Sequence, residues 1–185
     1  MNAMCGNIFK PSIRTVAPRC LYGNWMTMGV ETLDRDYDLV WAVQAARIRP
    51  ITNLVRGRFG LGTEVRLGRP FPYWTAIELS PGAPVPAGMV QVIIPSGTYL
   101  ALEGSLSDRL ASAYDFAYNY WESSQSEYVI DRLSLCFEQY GPVGGNRDEA
   151  TLFLPLISRA TCSEPDDEAR ATTAEAGPGG SGPGR

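Results

Sequence analysis

The chain carries one succession of patterns twice, and this succession limits its fold more than any other feature. In each half, a bent apolar strand pattern precedes a helical pattern, and two further strand patterns follow. The first half has its strand at residues 13–28, interrupted at Pro18, a helix with Tyr37, Val40, Trp41, Gln44 and Ile48 at helical spacing, and strands at 60–67 and 72–79.

The second half repeats this order after a proline-rich connector at residues 81–86. Its strand covers residues 89–103, its helix 107–121, and its last two strands 128–140 and 150–157. Two tandem strand–helix–strand–strand units predict an α+β protein in which each sheet carries its helix on one face. The other faces can then meet, and we expect a binding cleft between the halves.

The chain divides by composition into three parts. Residues 1–12 are expected to be a loose lead-in, and residues 13–162 a single folded domain with pseudo-repeats at about 13–80 and 89–158. Residues 163–185 are acidic and rich in Gly and Pro, a composition that buries too little apolar surface to offset the entropy of ordering. We predict that this tail is disordered.

The composition excludes several kinds of site. Histidine is absent, which removes Ser-His and Cys-His dyads and every metal site that uses imidazole. The four cysteines are widely spaced without a C-x-x-C pair, so we expect no metal site, no redox pair and no cofactor.

Charge and hydropathy argue against nucleic-acid and membrane partners. The net charge is −4, and the tail from residue 163 holds five acidic and two basic residues, so the folded part is near neutral. Phosphate binding requires a clustered cationic face. No apolar run reaches the ~20 residues that cross a bilayer, and the N-terminus does not resemble a signal peptide. A cytoplasmic location is therefore expected.

The run Cys136-Phe137-Glu138-Gln139-Tyr140 holds the main candidate for chemistry. Strand alternation groups Phe137 with the apolar Leu133 and Leu135, a side that suits packing under a helix. The opposite side places the Glu138 carboxylate between the Cys136 thiol and the Tyr140 phenol. A carboxylate in so apolar a stretch either faces a cavity, where it is a candidate acid or base, or pairs with an arginine such as Arg132.

A corresponding acid lies in the first half. Alternation along residues 73–79 puts Trp74, Ala76 and Glu78 on one face of the strand. If the halves face each other, Glu78 and Glu138 line one cavity as candidate catalytic residues, with Trp74 as a ligand contact. The alternative is that Trp74 is ordinary core.

Other aromatic residues can join this cavity. Tyr99 and Glu103 share a strand face, and Trp121 lies at the end of the second helix. Rings near carboxylates suit a flat or cationic ligand, through stacking and cation–π contacts. Most aromatic residues at helical spacing are core. The candidate ligand contacts are Trp74, Tyr99, Glu103, Trp121, Cys136 and Tyr140.

Four short motifs follow one another in the second half of the chain. They are Ile94-Pro95-Ser96-Gly97-Thr98-Tyr99, Tyr120-Trp121, Phe137-Glu138-Gln139-Tyr140 and Leu152-Phe153-Leu154-Pro155-Leu156. In this order they resemble the GyrI-like proteins, which share their module with the effector-binding domains of multidrug-responsive bacterial activators. The resemblance is clearest over residues 89–157. It implies two units side by side, a concave sheet around a central small-molecule pocket, helices on the outer face, and a characteristic acid that matches Glu138.

The resemblance leaves three functions open. One subfamily is similar to cyclopropanoid cyclopropyl hydrolases, which implies a resistance protein that binds a bulky planar toxin and hydrolyses its activated cyclopropane. Such a reaction needs an oriented water and an acid or base, for which Glu138 and Glu78 are the candidates. The alternatives are a non-catalytic drug-sequestering protein, with Glu138 as counter-charge for a cation, and a protein that contacts DNA gyrase.

Overall fold

The computed structural model provides the geometry of most of the chain between residues 9 and 161. Residues 1–8 of the predicted lead-in and the whole predicted tail lie outside the described residues and stay predictions, whereas residues 10–12 of the lead-in belong to the first strand. No helix in the described part is long and apolar enough to cross a membrane. The described residues are 9–28, 33–63, 69–105, 110–141, 143 and 149–161.

The first half follows the predicted order of elements. Its opening strand is divided at Ala17-Pro18, as the proline predicts, and Pro50 lies in a 3-10 segment that ends the helix. Two strands complete this half, the first of which begins five residues earlier than predicted. The elements are β1 (Lys10–Val16), β2 (Arg19–Met28), α1 (Leu33–Ile48), the 3-10 segment Arg49–Leu54, β3 (Val55–Gly62) and β4 (Phe71–Leu79).

The second half has the same order with one insertion. Its opening strand bends at Pro95-Ser96, and its helical segment runs from an α-helix through a π-helical turn into a 3-10 turn. The predicted strand 128–140 is two strands separated by a turn. The elements are β5 (Val90–Ile94), β6 (Gly97–Ser105), α2 (Leu110–Asp115), the π-helical turn Phe116–Trp121, the 3-10 turn Glu122–Ser124, β7 (Tyr128–Ile130), β8 (Cys136–Tyr140) and β9 (Glu149–Ser158).

The strands form an antiparallel sheet that curls on itself. The order is β1-β6-β9-β8-β3-β4-β2-β5, with β7 attached to β9. The pairing of the two bent strands continues across both bends, since Val16 pairs with Gly97 and Arg19 pairs with Ile94. The strands β1 and β6, at one end of the order, continue along the chain into or from β2 and β5, at the other end. The two ends of the sheet therefore lie close together, and the sheet curls around one of its faces.

The two faces of the sheet support separate cores. The inner face, around which the sheet curls, carries a ring-rich cluster that includes Phe59, Tyr99, Phe137 and Phe153. The opposite face, which we call the helix face, is covered by α1 and by the α2 segment and buries a larger cluster that includes Trp41. The α+β class, the concave sheet and the outer helices agree with the prediction. A common origin of the two halves stays a prediction.

One prediction about the faces is wrong. Phe137 and Leu135, expected under a helix, pack in the inner cluster, while Cys136 and Tyr140 belong to the cluster under the helices. Strand alternation separates the two sets of side chains correctly, but it does not tell which set a helix covers.

Candidate functional site

Glu138 lies near the middle of the helix face. On the central strand β3, Gly60 pairs with Glu138 on one side and with Thr75 on the other. Directly paired residues of antiparallel strands project to the same face, so Thr75 and, two residues away, Tyr73 share the face of Glu138. The carboxylate residue is only 2% exposed.

Phenol groups surround the carboxylate. Tyr73 Oη donates a hydrogen bond of 2.5 Å to Glu138 Oε2, and Tyr140 Oη donates one of 2.7 Å to the same oxygen. The hydroxyl of Tyr37, on α1, in turn contacts that of Tyr140. These bonds satisfy a group that would otherwise lose its hydration uncompensated.

Gly60 makes room for this arrangement. A Cβ atom at residue 60 would lie 2.0 Å from Tyr73 Oη and 2.3 Å from Glu138 Oε2. Any other side chain would therefore displace the phenol or the carboxylate. The glycine is required for close approach, because the polar groups occupy the space where its side chain would be.

Aromatic rings of α1 close the site from above. The Tyr37 ring lies 5.7 Å from that of Tyr73, and the Trp41 ring meets Tyr140 edge-on at 4.9 Å between centroids. We use the name carboxylate cluster for Glu138, Tyr73, Tyr140, Tyr37 and Trp41. The helix thus covers a carboxylate that is almost fully buried.

The protonation of the cluster follows from its burial. Desolvation raises the pKa of Glu138 above its usual value of 4.5, while the hydrogen bonds from Tyr73 and Tyr140 lower it in part. Burial likewise raises the pKa of Tyr37 to about 12. The phenols therefore stay protonated as donors, and the carboxyl binds a proton more readily than an exposed glutamate does.

The thiol next to the cluster is inert. Burial raises the pKa of Cys136 to about 12, so it is not a nucleophilic thiolate at neutral pH. Its Sγ lies 3.1 Å from the backbone oxygen of Gly62 and 3.3 Å from the Tyr114 hydroxyl. Cys136 shares the helix face with Glu138, but its contacts are those of a core residue.

The structure brings together only some of the residues proposed from the sequence. Tyr140 bonds Glu138 directly, and Cys136 and Trp121 lie in the same core cluster under the helices. Trp121 also lines an open groove of about 520 Å³ between β1 and the π-helical turn. The other four proposed residues, Trp74, Glu78, Tyr99 and Glu103, lie on the inner face.

The expected pair of carboxylates in one cavity is therefore wrong. Glu78 pairs with Gly57, three residues before Gly60 on β3, and an odd number of residues along a strand changes the face. Glu78 Oε2 lies 4.0 Å from Arg19 Nη1, on the far side of the sheet from Glu138.

The remaining inner-face residues have local partners. Glu103 forms an ion pair with Arg14, and Tyr99 Oη donates a 3.0 Å hydrogen bond to the Pro95 carbonyl. The ring of Trp74 lies 6.3 Å from that of Trp25. In this geometry none of these side chains can contact a ligand held at Glu138.

The alternative partner of Glu138 is also excluded. Arg132 does not pair with Glu138; its Nη2 lies 2.5 Å from Glu122 Oε2, and its guanidinium stacks on Tyr118 at 4.8 Å. Within the described residues, no three metal-ligating side chains converge.

Sequence reasoning missed three members of the carboxylate cluster. Alternation along residues 73–79 puts Tyr73 on the face opposite Glu78, and the spacing of Tyr37 and Trp41 predicts only that they share a helix stripe. Their helical spacing was a signal that Tyr37 and Trp41 face the sheet, because both lie on the side of α1 that is buried. What the sequence lacked was the pairing of β3 between β4 and β8.

Comparisons of the sequence with known proteins find no match. No protein-family model matches the chain, and no curated protein matches it.

Comparisons of the structure find similar folds at low identity. An integron cassette protein from the mobile metagenome of Vibrio cholerae, VCH_CASS2, is 15% identical with a TM-score of 0.60, over 81% of this chain and 98% of that one. SAV2435, solved bound to tetraphenylphosphonium, is 15% identical with a TM-score of 0.59, over 80% and 94% of the chains.

The C-terminal domain of EcmrR has the same general shape, at 11% identity and a TM-score of 0.61, over 80% of this chain and 98% of that domain. Identities this low show a common fold and nothing about activity. The fold of these proteins fits the one that the GyrI-like resemblance implied, and the chain has this fold over about four-fifths of its length.

Proposed function

We propose that this protein binds an organic cation with aromatic groups at the carboxylate cluster, with Glu138 as the counter-charge. The observation that carries the proposal is a carboxylate that is 2% exposed and held by two phenols. Among the described residues, no ion pair reaches Glu138. A bound cation would supply the missing positive charge.

The surrounding rings suit such a ligand. Tyr37, Tyr73, Tyr140 and Trp41 present aromatic faces and edges around one acid. A cation over an aromatic face gains about 0.5–2 kcal/mol, more when it is desolvated. A neutral planar molecule would gain the stacking but not the charge pairing, so we expect affinity to depend on both features.

Access to Glu138 requires displacement of α1. The helix buries Val40, Trp41, Gln44 and Ile48 against the sheet, and its Tyr37 hydroxyl reaches Tyr140. A shift of α1 would open a space between its rings and Glu138, and Tyr37 and Trp41 would then contact the ligand from the helix side. SAV2435, which has a similar fold, has been solved with the aromatic cation tetraphenylphosphonium, and this supports the choice of that cation as a probe.

Titration calorimetry with tetraphenylphosphonium tests the proposal. We expect the wild-type chain to bind and Glu138→Gln to bind at least about ten-fold more weakly, which corresponds to the loss of ~1.4 kcal/mol. Glu78→Gln is the matched control, because Glu78 lies on the opposite face, and it should bind like wild type. Equal affinity of wild type and Glu138→Gln would refute the proposal.

Hydrolysis of an activated cyclopropane is a second candidate for the same site. The raised pKa of Glu138 favours it, because a buried carboxyl that keeps its proton to a higher pH than an exposed glutamate can give that proton to a carbonyl, and its ionised form can hold a water. Glu78 cannot assist from the inner face, so this candidate depends on Glu138 alone.

Mass spectrometry separates turnover from binding. A toxin with an activated cyclopropane is incubated with a small molar fraction of the protein. Conversion of the excess to a product one water heavier, lost in Glu138→Gln, would support hydrolysis. An unchanged toxin that still stabilises the protein against heat would leave binding alone.

A further inference from the structure

A row of polar positions crosses the helix face at the level of Glu138. Asn24 on β2 pairs with Thr75 on β4, which pairs with Gly60 on β3, which pairs with Glu138 on β8. The row therefore runs from Glu138 of the carboxylate cluster across β3 and β4 to β2, and its four residues lie on one face of the sheet.

Two amide groups in this region lack acceptors. Gln44 is 1% exposed, and its Nε2 has no hydrogen-bond acceptor among the described residues. The buried Nδ2 of Asn24 is likewise without an acceptor in that part of the chain. A buried donor without an acceptor destabilises the folded state, and native proteins keep few of them.

Gln44 lies on the same side of α1 as Trp41 of the carboxylate cluster. It follows Val40 and Trp41 by one helical turn, so the three side chains lie on one stripe. That stripe faces the polar row, because Thr75 Oγ1 donates to the Val40 carbonyl at 3.5 Å, and Trp41 meets Tyr140 of the carboxylate cluster.

We propose that the unpaired amides of Gln44 and Asn24 select ligands that carry a hydrogen-bond acceptor, such as an aryl carbonyl, beside the cationic group. This inference rests on the proposed function. The phenols cannot serve as selectors in the same way, since their hydrogens are already donated to Glu138 and within the tyrosine cluster. The ligand class is thus an aromatic cation with a carbonyl or similar acceptor at its other end.

A matched pair of phosphonium ions tests this specificity. The two probes are the para-acetylphenyl and the para-isopropylphenyl derivatives of triphenylphosphonium, which have similar shape and charge and differ in the acceptor. Wild-type protein should bind the acetyl compound about five-fold more tightly or better, the usual worth of one hydrogen bond.

The variants assign the preference to the amides. Gln44→Met keeps the length of the side chain and removes the donors, so the ratio of the affinities for the acetyl and isopropyl compounds should fall to about half or less. Asn24→Val should remove the rest of the preference. Gln91→Met is the matched control, because Gln91 is exposed on β5, and it should preserve the wild-type ratio.

The outcomes separate this inference from the proposed function. If wild type binds both compounds equally, or if neither amide variant changes the ratio, the acceptor selection is wrong and cation binding stands. If neither compound binds, the proposed function is wrong, and this inference, which rests on it, is wrong as well.

Stability without ligand gives an independent readout. Because Gln44→Met removes an unpaired buried donor without changing the side-chain length, its melting temperature should be equal to or above that of wild type. A melting temperature well below wild type would show that the amide has a partner within the protein, and this would overturn the inference.

Discussion

Gly60 and Glu138 depend on each other for their positions. The carboxylate oxygen and the Tyr73 hydroxyl occupy the volume that a side chain at residue 60 would fill. A buried acid is tolerated here because its hydrogen-bond donors come from β4 and β8, while β3 between them contributes only space.

The first prediction concerns this space. Gly60→Ala should lower the free energy of unfolding by about 1–3 kcal/mol, the usual cost of overpacking a core, as measured by urea denaturation. Gly97→Ala is the control, since a Cβ there would be 3.5 Å from the nearest atom, on Tyr99. Equal effects of the two substitutions would show that the Gly60 site is not crowded.

The second prediction concerns the pH dependence of stability. Burial raises the pKa of Glu138 in the folded chain above its usual value of 4.5, so the folded state binds this proton more tightly than the unfolded state does. The resulting stabilisation is fully present below pH 4.5 and is lost as the pH rises through the folded pKa.

Denaturation of wild type and Glu138→Gln across this range measures the effect. The stability of wild type relative to the variant should fall as the pH rises, because only wild type must release a proton or bury a charge. A difference that stays constant, or that grows with pH, would mean that Glu138 is not desolvated in the folded state.

The two glutamates Glu138 and Glu78 differ in how well the sequence predicts their positions. Glu138 is identifiable as a buried acid because its neighbours alternate between apolar and polar types. Glu78 looks equivalent by the same test, yet it lies on the other face. Alternation relates residues within one strand, whereas their alignment across strands depends on register, which a single sequence does not specify.

At the scale of elements, one acid joins the end of the α2 segment to β7. Glu122, in the 3-10 turn after the π-helical turn, accepts a 2.7 Å hydrogen bond from the Ile130 amide and pairs with Arg132. Arg132 in turn stacks on Tyr118 of the π-helical turn. The end of the helical segment is thereby fixed to the strand that extends β9.

The third prediction is that Glu122→Ala destabilises the chain by about 1–3 kcal/mol, because the Ile130 amide loses its acceptor in a buried setting. Glu127→Ala, at an exposed position in the same connection, should change stability by less than about 0.5 kcal/mol. Thermal and urea unfolding measure both. If the two variants are equally stable, Glu122 does not hold the helical segment.

The elements differ in how well the sequence predicts them. The bends at Pro18 and Pro95 and the end of α1 follow from proline chemistry. The predicted strand 128–140 fails because Asp131 Oδ1 accepts from the amides of Leu133 and Ser134 at 3.0 and 3.2 Å, which forms a turn. The Asp-x-x-Ser pattern was a signal, but the surrounding apolar residues favoured a continuous strand.

At the scale of the whole molecule, the curled sheet separates two environments. The inner face is filled by stacked rings such as Phe137 and Phe153, 4.5 Å apart, and this packing supports the fold. The helix face combines a core with the buried carboxyl of Glu138 under α1, and no ion pair among the described residues includes that carboxyl. The inner cluster therefore stabilises the strand pairing, and under the proposed function the change on ligand binding falls on the helix face.

The overall architecture was predictable, but the position of the site within it was not. Two strand–helix–strand–strand successions predict an α+β sheet with helices on one side. The pocket was expected on the concave side, whereas Glu138 lies beneath the helices. Both faces of β3 and β8 are largely buried, so burial of the acid does not indicate which face the helices cover.

The most direct test of the account compares the affinities of tetraphenylphosphonium and tetraphenylborate, which have the same shape and opposite charge. If the carboxylate of Glu138 is the counter-charge, wild type should bind the cation at least about 100-fold more tightly than the anion at neutral pH. The ratio should fall towards one in Glu138→Gln. Equal binding of both ions by wild type, or a ratio unchanged in the variant, would contradict the central claim.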